Sequence, residues 1–372
     1  MTHENSPSGQ PDALARPINI GLQGGGAHGA YTWGVLDALL DDPSITYDGL
    51  SGTSAGAMNA IVLANGLMKG GRQGAKAALA DFWRGVADSV PMAFSIPSAA
   101  GQGVSLLPST RLMLSWTRYL SPYQLNPMDF NPLRDLLEKQ VDFEALRANS
   151  PVHLFISATN ANTGKLRLFR NEDITIDAVL ASACLPMVHK AIEIDGQPYW
   201  DGGYSANPAV FPLFYECAAR DILLVLLAPD TYEGTPKSAD EIRARTMELA
   251  FNTSLLREML LFANVMAYNR NHAEEAASSW LGSPGLRRLF GTPKRDCNGF
   301  EQFLSDTRFH LIEADVLINQ FGSMSKMVPD WHFLTRLHDI GYTEAQKWLA
   351  ANSARIGEES TVDIVERFGV SS

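Results

Sequence analysis

Over roughly the first 230 residues, short apolar runs of strand length alternate with stretches whose apolar side chains recur at helical spacing. That is the pattern of a parallel α/β sheet. Ile18 to Gln23 reads as the first strand and runs into Gly24-Gly25-Gly26. Ala27 to Leu40 then places Ala30, Trp33, Val35, Leu36, Leu39 and Leu40 at helical intervals, and Asp41-Asp42-Pro43 stops the helix. Tyr47 to Ser51 is a short second strand ending in Gly52-Thr53-Ser54-Ala55-Gly56, and Ala57 to Met68 continues as an Ala-rich helix closed by Gly70-Gly71.

Further on, Pro132 to Ala148 reads as a helix, Val152 to Thr159 as a buried strand, Lys165 to Phe169 as its partner and Ile174 to Ala183 as a small-residue helix. Ala191 to Ile194 and Gln197 to Trp200 flank Asp195-Gly196, a strong hairpin signal, and Asp221 to Leu227 is one more apolar strand. Beyond Asp230, Ala239 to about Ala276 reads as one or two long helices, Arg308 to Ile312 as a late strand and Asp330 to Ala351 as closing helices. The expected division is a disordered tail over 1–17, a catalytic domain over 18–230, and a mainly helical part over 231–372 packed on the same domain. Within the catalytic domain the regular pattern dissolves over about 91–131, where Pro, Ser and Gly mix with apolar residues such as Met92, Phe94, Leu112, Trp116 and Tyr119. A segment this long and this apolar is either a lid or lipid-facing cap, or an irregular piece of core.

Composition narrows the function. Of 372 residues, 45% are hydrophobic and 19% charged, so a sizeable core is available and wholesale disorder is excluded. A net charge of −11 repels phosphate backbones, which makes nucleic acid a poor partner and leaves any membrane-surface contact to a local apolar patch. Cys184, Cys217 and Cys297 are odd in number and far apart, without metal-ligand spacing, as expected of a reduced compartment. No secretory leader or membrane-length apolar run is read, so the expectation is a soluble cytoplasmic chain, peripheral at membranes where it meets lipid.

Gly52-x-Ser54-x-Gly56 fits a nucleophile elbow, in which a serine sits on a cramped strand-to-helix turn and a Cβ at either glycine position would collide with nearby backbone. Gly24 to Gly26, with Ala27, lie between a strand and a helix, so their amides can face an anionic oxygen as an oxyanion hole. The same loop also satisfies the dinucleotide fingerprint Gly24-x-Gly26-x-x-Gly29, with Asp48 about 20 residues on. In that fingerprint the acid ends the second strand, whereas Asp48 stands near the start of Tyr47 to Ser51. Asp201-Gly202-Gly203 follows an aromatic-rich hairpin arm, and its weight comes from the order oxyanion loop, then Ser, then Asp. A conventional triad would place its histidine after Asp201, yet His272, His310, His332 and His338 all lack a site-like context. His28 either points at an anionic head group or covers the start of the first helix.

Taken together, Gly24-Gly25-Gly26-Ala27-His28-Gly29, Gly52-Thr53-Ser54-Ala55-Gly56 and Asp201-Gly202-Gly203 resemble the motifs of the patatin-like phospholipase family, over roughly Ile18 to Pro212. The resemblance implies a three-layer α/β/α fold with helical additions and lipid acyl hydrolysis through a Ser-Asp dyad. It implies Ser54 as nucleophile, Asp201 as its partner, and the loop Gly24 to Ala27 as oxyanion hole, with Gly52, Gly56, Gly202 and Gly203 in support. Neither a catalytic histidine nor a metal or other cofactor is called for. The family often has Arg or Lys where this chain has His28, so the charge near a substrate phosphate is expected to be weaker or pH-dependent. The segment Ser182, Ala183, Leu185, Pro186 and Met187 resembles one that lines the family's site, and Arg84, Arg111 and Arg118 are the arginines that could meet a lipid phosphate.

On these grounds the leading expectation is a serine hydrolase of phospholipid or lysophospholipid acyl esters, acting through an acyl-enzyme, its partner a lipid or other ester substrate. Two alternatives stand beside it: a dinucleotide-dependent oxidoreductase using Gly24 to Gly29, and a lipid-binding or regulatory protein with a silent site.

Overall fold

The structure, a computed structural model, describes residues 15–89, 95–97, 104–106, 120–229, 231–232, 234–281, 303–314, 323–327 and 329–369. Most of the tail expected over 1–17, most of the irregular segment over 91–131, Cys297, Arg111 and Arg118 lie outside the described residues.

The chain builds one eight-stranded sheet, which takes its strands far out of sequence order. β1 (Arg16–Leu22) lies at its centre, with β2 (Ile45–Gly52) on one side; β3 (Ser95–Pro97) and β4 (Val104–Leu106) form a separate antiparallel pair. The remaining strands are β5 (His153–Asn160), β6 (Leu166–Phe169), β7 (Ile192–Ile194), β8 (Gln197–Asp201), β9 (Asp221–Leu226) and β10 (Arg308–Glu313). The order is β10-β9-β1-β2-β5-β8-β7, with β6 also on β5; β10 through β5 run parallel, β6 and β8 each lie antiparallel to β5, and β7 pairs antiparallel with β8.

Both faces of the parallel part are covered, and the strand sequences show why. Along β9 every residue is buried, with Leu223 and Val225 packed into one apolar cluster and Ile222, Leu224 and Leu226 into the other. That two-residue alternation between two dry faces is what a continuous apolar strand requires. On the first face pack α1 (Gly29–Asp41), α2 (Ala55–Asp88) and a C-terminal helix, Trp331–Asn352. The opposite face is covered by the helix Ala239–Leu281 through Leu255, Met259 and Phe262, with Phe211–Tyr215 and Ile364–Phe368. The result is the three-layer α/β/α arrangement.

Several expected boundaries shift. Gly70-Gly71 closes the first helix of α2 as its dipeptide suggests, both residues leaving helical geometry with Gly71 at φ 58°, and what the sequence reading did not include is the second helix that follows directly, whose apolar face is carried by Ala75, Leu79, Phe82 and Trp83. The helix expected over Pro132 to Ala148 is two, Pro132–Gln140 and Phe143–Asn149, since the Asp142 side chain accepts the Ala145 amide and starts a second one. The long helical stretch after Asp230 is a single helix, and β10 from the C-terminal third forms one sheet edge. Asp195 and Gly196, both at positive φ, turn the β7–β8 hairpin as their dipeptide suggests.

Candidate active site

The loops that follow β1 and β2 leave the sheet at its carboxyl edge, where open α/β sheets bind ligands. Leaving β2, the chain passes Thr53 and reaches Ser54 at φ 54°, ψ −121°, immediately before α2 begins at Ala55. A non-glycine residue in such a conformation costs about 1–3 kcal/mol and persists only where its surroundings impose it. Here they do. The Thr53 amide donates to the Leu22 carbonyl at 3.3 Å, the Thr53 hydroxyl to the Ala206 carbonyl at 2.9 Å, and the Ser54 amide to Ser182 Oγ at 2.9 Å. A Cβ on Gly52 would lie 2.5 Å from the Gly56 carbonyl oxygen, and one on Gly56 would overlap the Leu22 carbonyl, so the turn closes only with glycine at both positions.

Asp201 ends β8 and is fully buried. Its amide donates to the Cys184 carbonyl at 2.8 Å, and its Oδ1 accepts the Gly203 amide at 2.8 Å. Oδ2 is buried without a partner at ordinary hydrogen-bonding distance. Burial pushes this carboxyl up to about 7, against the opposing pull of the Gly203 amide and the nearby Ser54 hydroxyl. A buried carboxyl with an unsatisfied oxygen beside a strained serine is the kind of local rule-breaking that collects at functional sites.

The glycine loop leaves β1 at Gln23, whose Oε1 accepts the Leu227 and Ala228 amides at 2.6 and 2.8 Å. A Cβ on Gly24 would stand 2.9 Å from Ser54 Cβ, so this loop lies directly against the elbow. The Gly24 amide donates to Asn207 Oδ1 at 2.7 Å. Gly24 therefore anchors the loop, and that amide is committed to the protein instead of facing a substrate oxygen, as the sequence reading had allowed. Gly25, Gly26 and Ala27 begin a helical run continued by α1, and the first amides of such a run have no acceptor within it. Gly26 is at φ +60°, and a Cβ there would overlap the Lys326 carbonyl.

His28 is buried, with Nε2 2.7 Å from Ser325 Oγ and its ring edge-on to Phe333. Desolvation, with Lys326 adding to it, holds the imidazole down at about 3. It therefore covers the helix start as a neutral group, and the expected pH-dependent charge beside a substrate phosphate is not there. His310 is bound to Asp221 at 2.9 Å and His338 to Asp37 at 3.0 Å, both structural pairs. Arg84 lies over the Trp331 ring and bridges to Asp88 at 3.3 Å, so it is a surface side chain with partners of its own. Asp48 lies in mid-strand in β2, where its Oδ2 accepts the Ala218 and Ala219 amides at 2.6 and 2.7 Å. An acid held there is not the strand-end carboxylate of a dinucleotide site.

Sequence reading missed Asn207, Phe251, Asn252, Ser325 and Lys326. Asn207 joins the Gly24 amide to the Phe251 carbonyl, and the Phe251 ring fills the space where a Gly203 side chain would go. Nothing in their local sequence marks them; only the packing of the C-terminal third against the loops does. Among the described residues, no cluster of His, Cys, Asp and Glu able to hold a metal is found, and no helix is long and apolar enough to cross a membrane. A cavity of about 610 Å³ opens at the opposite, amino-terminal edge of β9 and β10. Its Arg270 and Arg308 are paired with Asp363 and Asp221, and it lies away from the serine loop.

These loops, strands and their order define a known class. The model of the family described as patatin-like phospholipase matches residues 21–214, just over half of the chain, and the chain belongs to that family. Membership supports lipid acyl hydrolase activity in general terms. No curated protein matches the chain. Among solved structures, the chain is similar to VipD from Legionella pneumophila at 15% identity and a TM-score of 0.38, covering 91% of this chain and 67% of that one. It is also similar to a chain in the complex of full-length SpcU with full-length ExoU from the type III secretion system of Pseudomonas aeruginosa, at 14% identity and a TM-score of 0.27, covering 93% and 80%. At these scores neither adds to the family assignment.

Proposed function

We propose that this protein is a serine acyl hydrolase of the phospholipase A type, cleaving phospholipid or lysophospholipid esters through Ser54 and Asp201. The observation that carries the reading is the pairing of a strained Ser54 with a buried, ionisable Asp201 that its hydroxyl influences. With Asp201 ionised, Ser54 Oγ attacks the ester carbonyl carbon and its proton passes to the carboxylate. The resulting oxyanion is held by the amides of Gly25 and Gly26, with Ala27 beside them. The tetrahedral intermediate expels the alcohol, which takes the proton from Asp201. Asp201 then deprotonates a water that attacks the acyl-enzyme, releasing the fatty acid and restoring Ser54.

That proton balance is complete with one hydroxyl and one carboxyl, and the proposed steps call for no metal or cofactor. Gly52, Gly56, Gly202 and Gly203 hold the two groups in place, and residues 231–372 buttress a catalytic region spanning 18–230. The chain acts peripherally at lipid as a cytoplasmic protein, with no nucleic-acid role.

The test is labelling by a fluorophosphonate probe followed by peptide mapping. Label is expected on Ser54, and Ser54→Ala should lose both label and at least ~1,000-fold of ester turnover. Label elsewhere, or an unchanged rate in Ser54→Ala, would discard the assignment.

A further inference from the structure

Six large apolar side chains stand exposed in two short stretches: Tyr123, Leu125, Met128 and Phe130 in one, Met187 and Val188 in the other. Met128 is 91% exposed and Phe130 69%, values far from those of a side chain the fold uses for its own core. The stretches form one surface. Lys190 Nζ donates to the Pro127 carbonyl at 2.9 Å and sits 5.8 Å from the centre of the Tyr123 ring, and the field of Asp129 reaches His189.

The presentation is built in. Asn126 spans the turn with its side chain, Nδ2 donating to the Phe130 carbonyl and Oδ1 accepting the Phe130 amide, both at 2.9 Å. Ser121 and Gln124 close a reciprocal cap on the preceding helical turn, Pro122–Leu125. Met128 is thereby held outward on a hydrogen-bonded loop. The second stretch leads straight into the candidate site, since Ser182 Oγ accepts the Ser54 amide and the Cys184 carbonyl accepts the Asp201 amide. The apolar surface therefore borders the chemistry.

We infer that this surface seats the protein on an electrically neutral lipid surface, orienting the mouth of the Ser54 site toward acyl chains; the inference rests on the acyl-hydrolase reading. Charge selects the occupant. Within the patch Lys190 and Asp129 offset one another, while the chain as a whole carries −11, so an anionic bilayer is opposed at long range and a zwitterionic one is not. Insertion of a few large apolar side chains suffices for reversible interfacial binding.

The test uses the full chain carrying Ser54→Ala, so that phosphatidylcholine vesicles are not consumed, with and without Met128→Ser plus Phe130→Ser. The parent should co-sediment with the vesicles, and the doubly substituted form should partition at least ~10-fold less. Adding anionic lipid should not strengthen the parent's binding. With Ser54 intact, the double substitution should leave turnover of a soluble short-chain ester unchanged and lower vesicle hydrolysis. Met187→Ser probes the patch from its other stretch and should weaken partition in the same direction. Equal co-sedimentation of parent and variants overturns the inference. So does a parent dimer, seen by sedimentation velocity, that Met128→Ser plus Phe130→Ser dissolves, since the occupant is then a second copy. If patch-dependent binding persists while Ser54-intact protein turns over no ester, the hydrolase reading fails and the docking surface stands; turnover with no patch dependence is the reverse outcome.

Discussion

The burial of Asp201 sets a measurable pH dependence. Its carboxyl is raised from 3.8 to about 7. At about 1.4 kcal/mol per pKa unit, that is roughly 4 kcal/mol of penalty on the charged form. The proposed mechanism needs that charged form. At pH 6 about a tenth of the molecules carry it and at pH 5 about a hundredth, so kcat/KM should rise about tenfold per pH unit from 5 and level off above about 7. Phe251 offers the perturbation, because its ring packs on Gly203, whose amide holds Asp201, and lies 4.7 Å from the Tyr204 ring. Phe251→Ser opens that side to water and should lower the midpoint by about one unit, toward 6. The plateau should fall as well, since a less basic carboxylate is a weaker proton acceptor.

The assay is turnover of a soluble medium-chain ester below its aggregation limit from pH 4.5 to 9, with released alcohol quantified chromatographically and the fluorophosphonate labelling rate followed in parallel. Both rates should share one midpoint, because both require Ser54 to lose its proton to the same group. A flat profile, a midpoint near 4, or an unmoved midpoint in Phe251→Ser would refute the assignment of Asp201 as base.

The same carboxyl should tax stability. Its folded pKa is raised, so its stabilising contribution is complete below about pH 4 and is lost as pH climbs through about 7; Asp201→Asn, inactive, should melt several degrees above wild type at pH 8 and level with it at pH 4. Calorimetry at the two pH values decides this, with Glu258, also raised to about 7 by burial, supplying a common background. Asn207→Ala frees the Gly24 amide and should cut kcat about 10–100-fold with little change in KM, read on the soluble ester. Gly26→Ala meets both a positive φ and the Lys326 carbonyl and should cost at least ~100-fold in kcat, whereas Gly70→Ala, with open space at its Cβ, should leave turnover unchanged.

What the chain discloses in advance follows from the range of the forces involved. Gly56 is needed because backbone at the end of β1 passes within contact of the elbow, and Gly52 because the turn folds the backbone of Gly56 and Ala57 back onto it, demands that write themselves into a five-residue motif and so can be read. Strand periodicity is legible for the same reason, since the two faces of β9 differ residue by residue. Asn207 is different. It lies 183 residues from the Gly24 amide it holds, and no neighbouring residue signals that role. The glycine loop thus read as a row of equivalent donors, and only the fold separates the anchored Gly24 from Gly25 and Gly26. Gly70-Gly71 is legible as well, because a local breaker acts through its own backbone: both residues leave helical geometry, and only the second helix, whose apolar face resumes at Ala75, goes unread.

The C-terminal third, silent in motifs, then takes on a function that pure catalytic chemistry would not assign. Two features of the site oppose folding: a serine at positive φ costing about 1–3 kcal/mol, and a carboxylate whose ionisation inside the protein costs about 4 more at neutral pH. Neither can be held by the loop that carries it. The opposing contacts come from outside the motifs: Asn252 on Gln23, the Phe251 carbonyl on Asn207, the Phe251 ring on Gly203, and Ser325 and Lys326 on the turn of His28 and Gly26. The helix Ala239–Leu281 also closes one face of the sheet through Leu255, Met259 and Phe262, so the apolar burial that stabilises the fold also rigidifies the glycine loop and the Asp201 turn. In the proposed mechanism the three glycine-containing motifs supply the reacting groups, and contacts from residues after 230 hold the strained serine and the buried carboxyl in place.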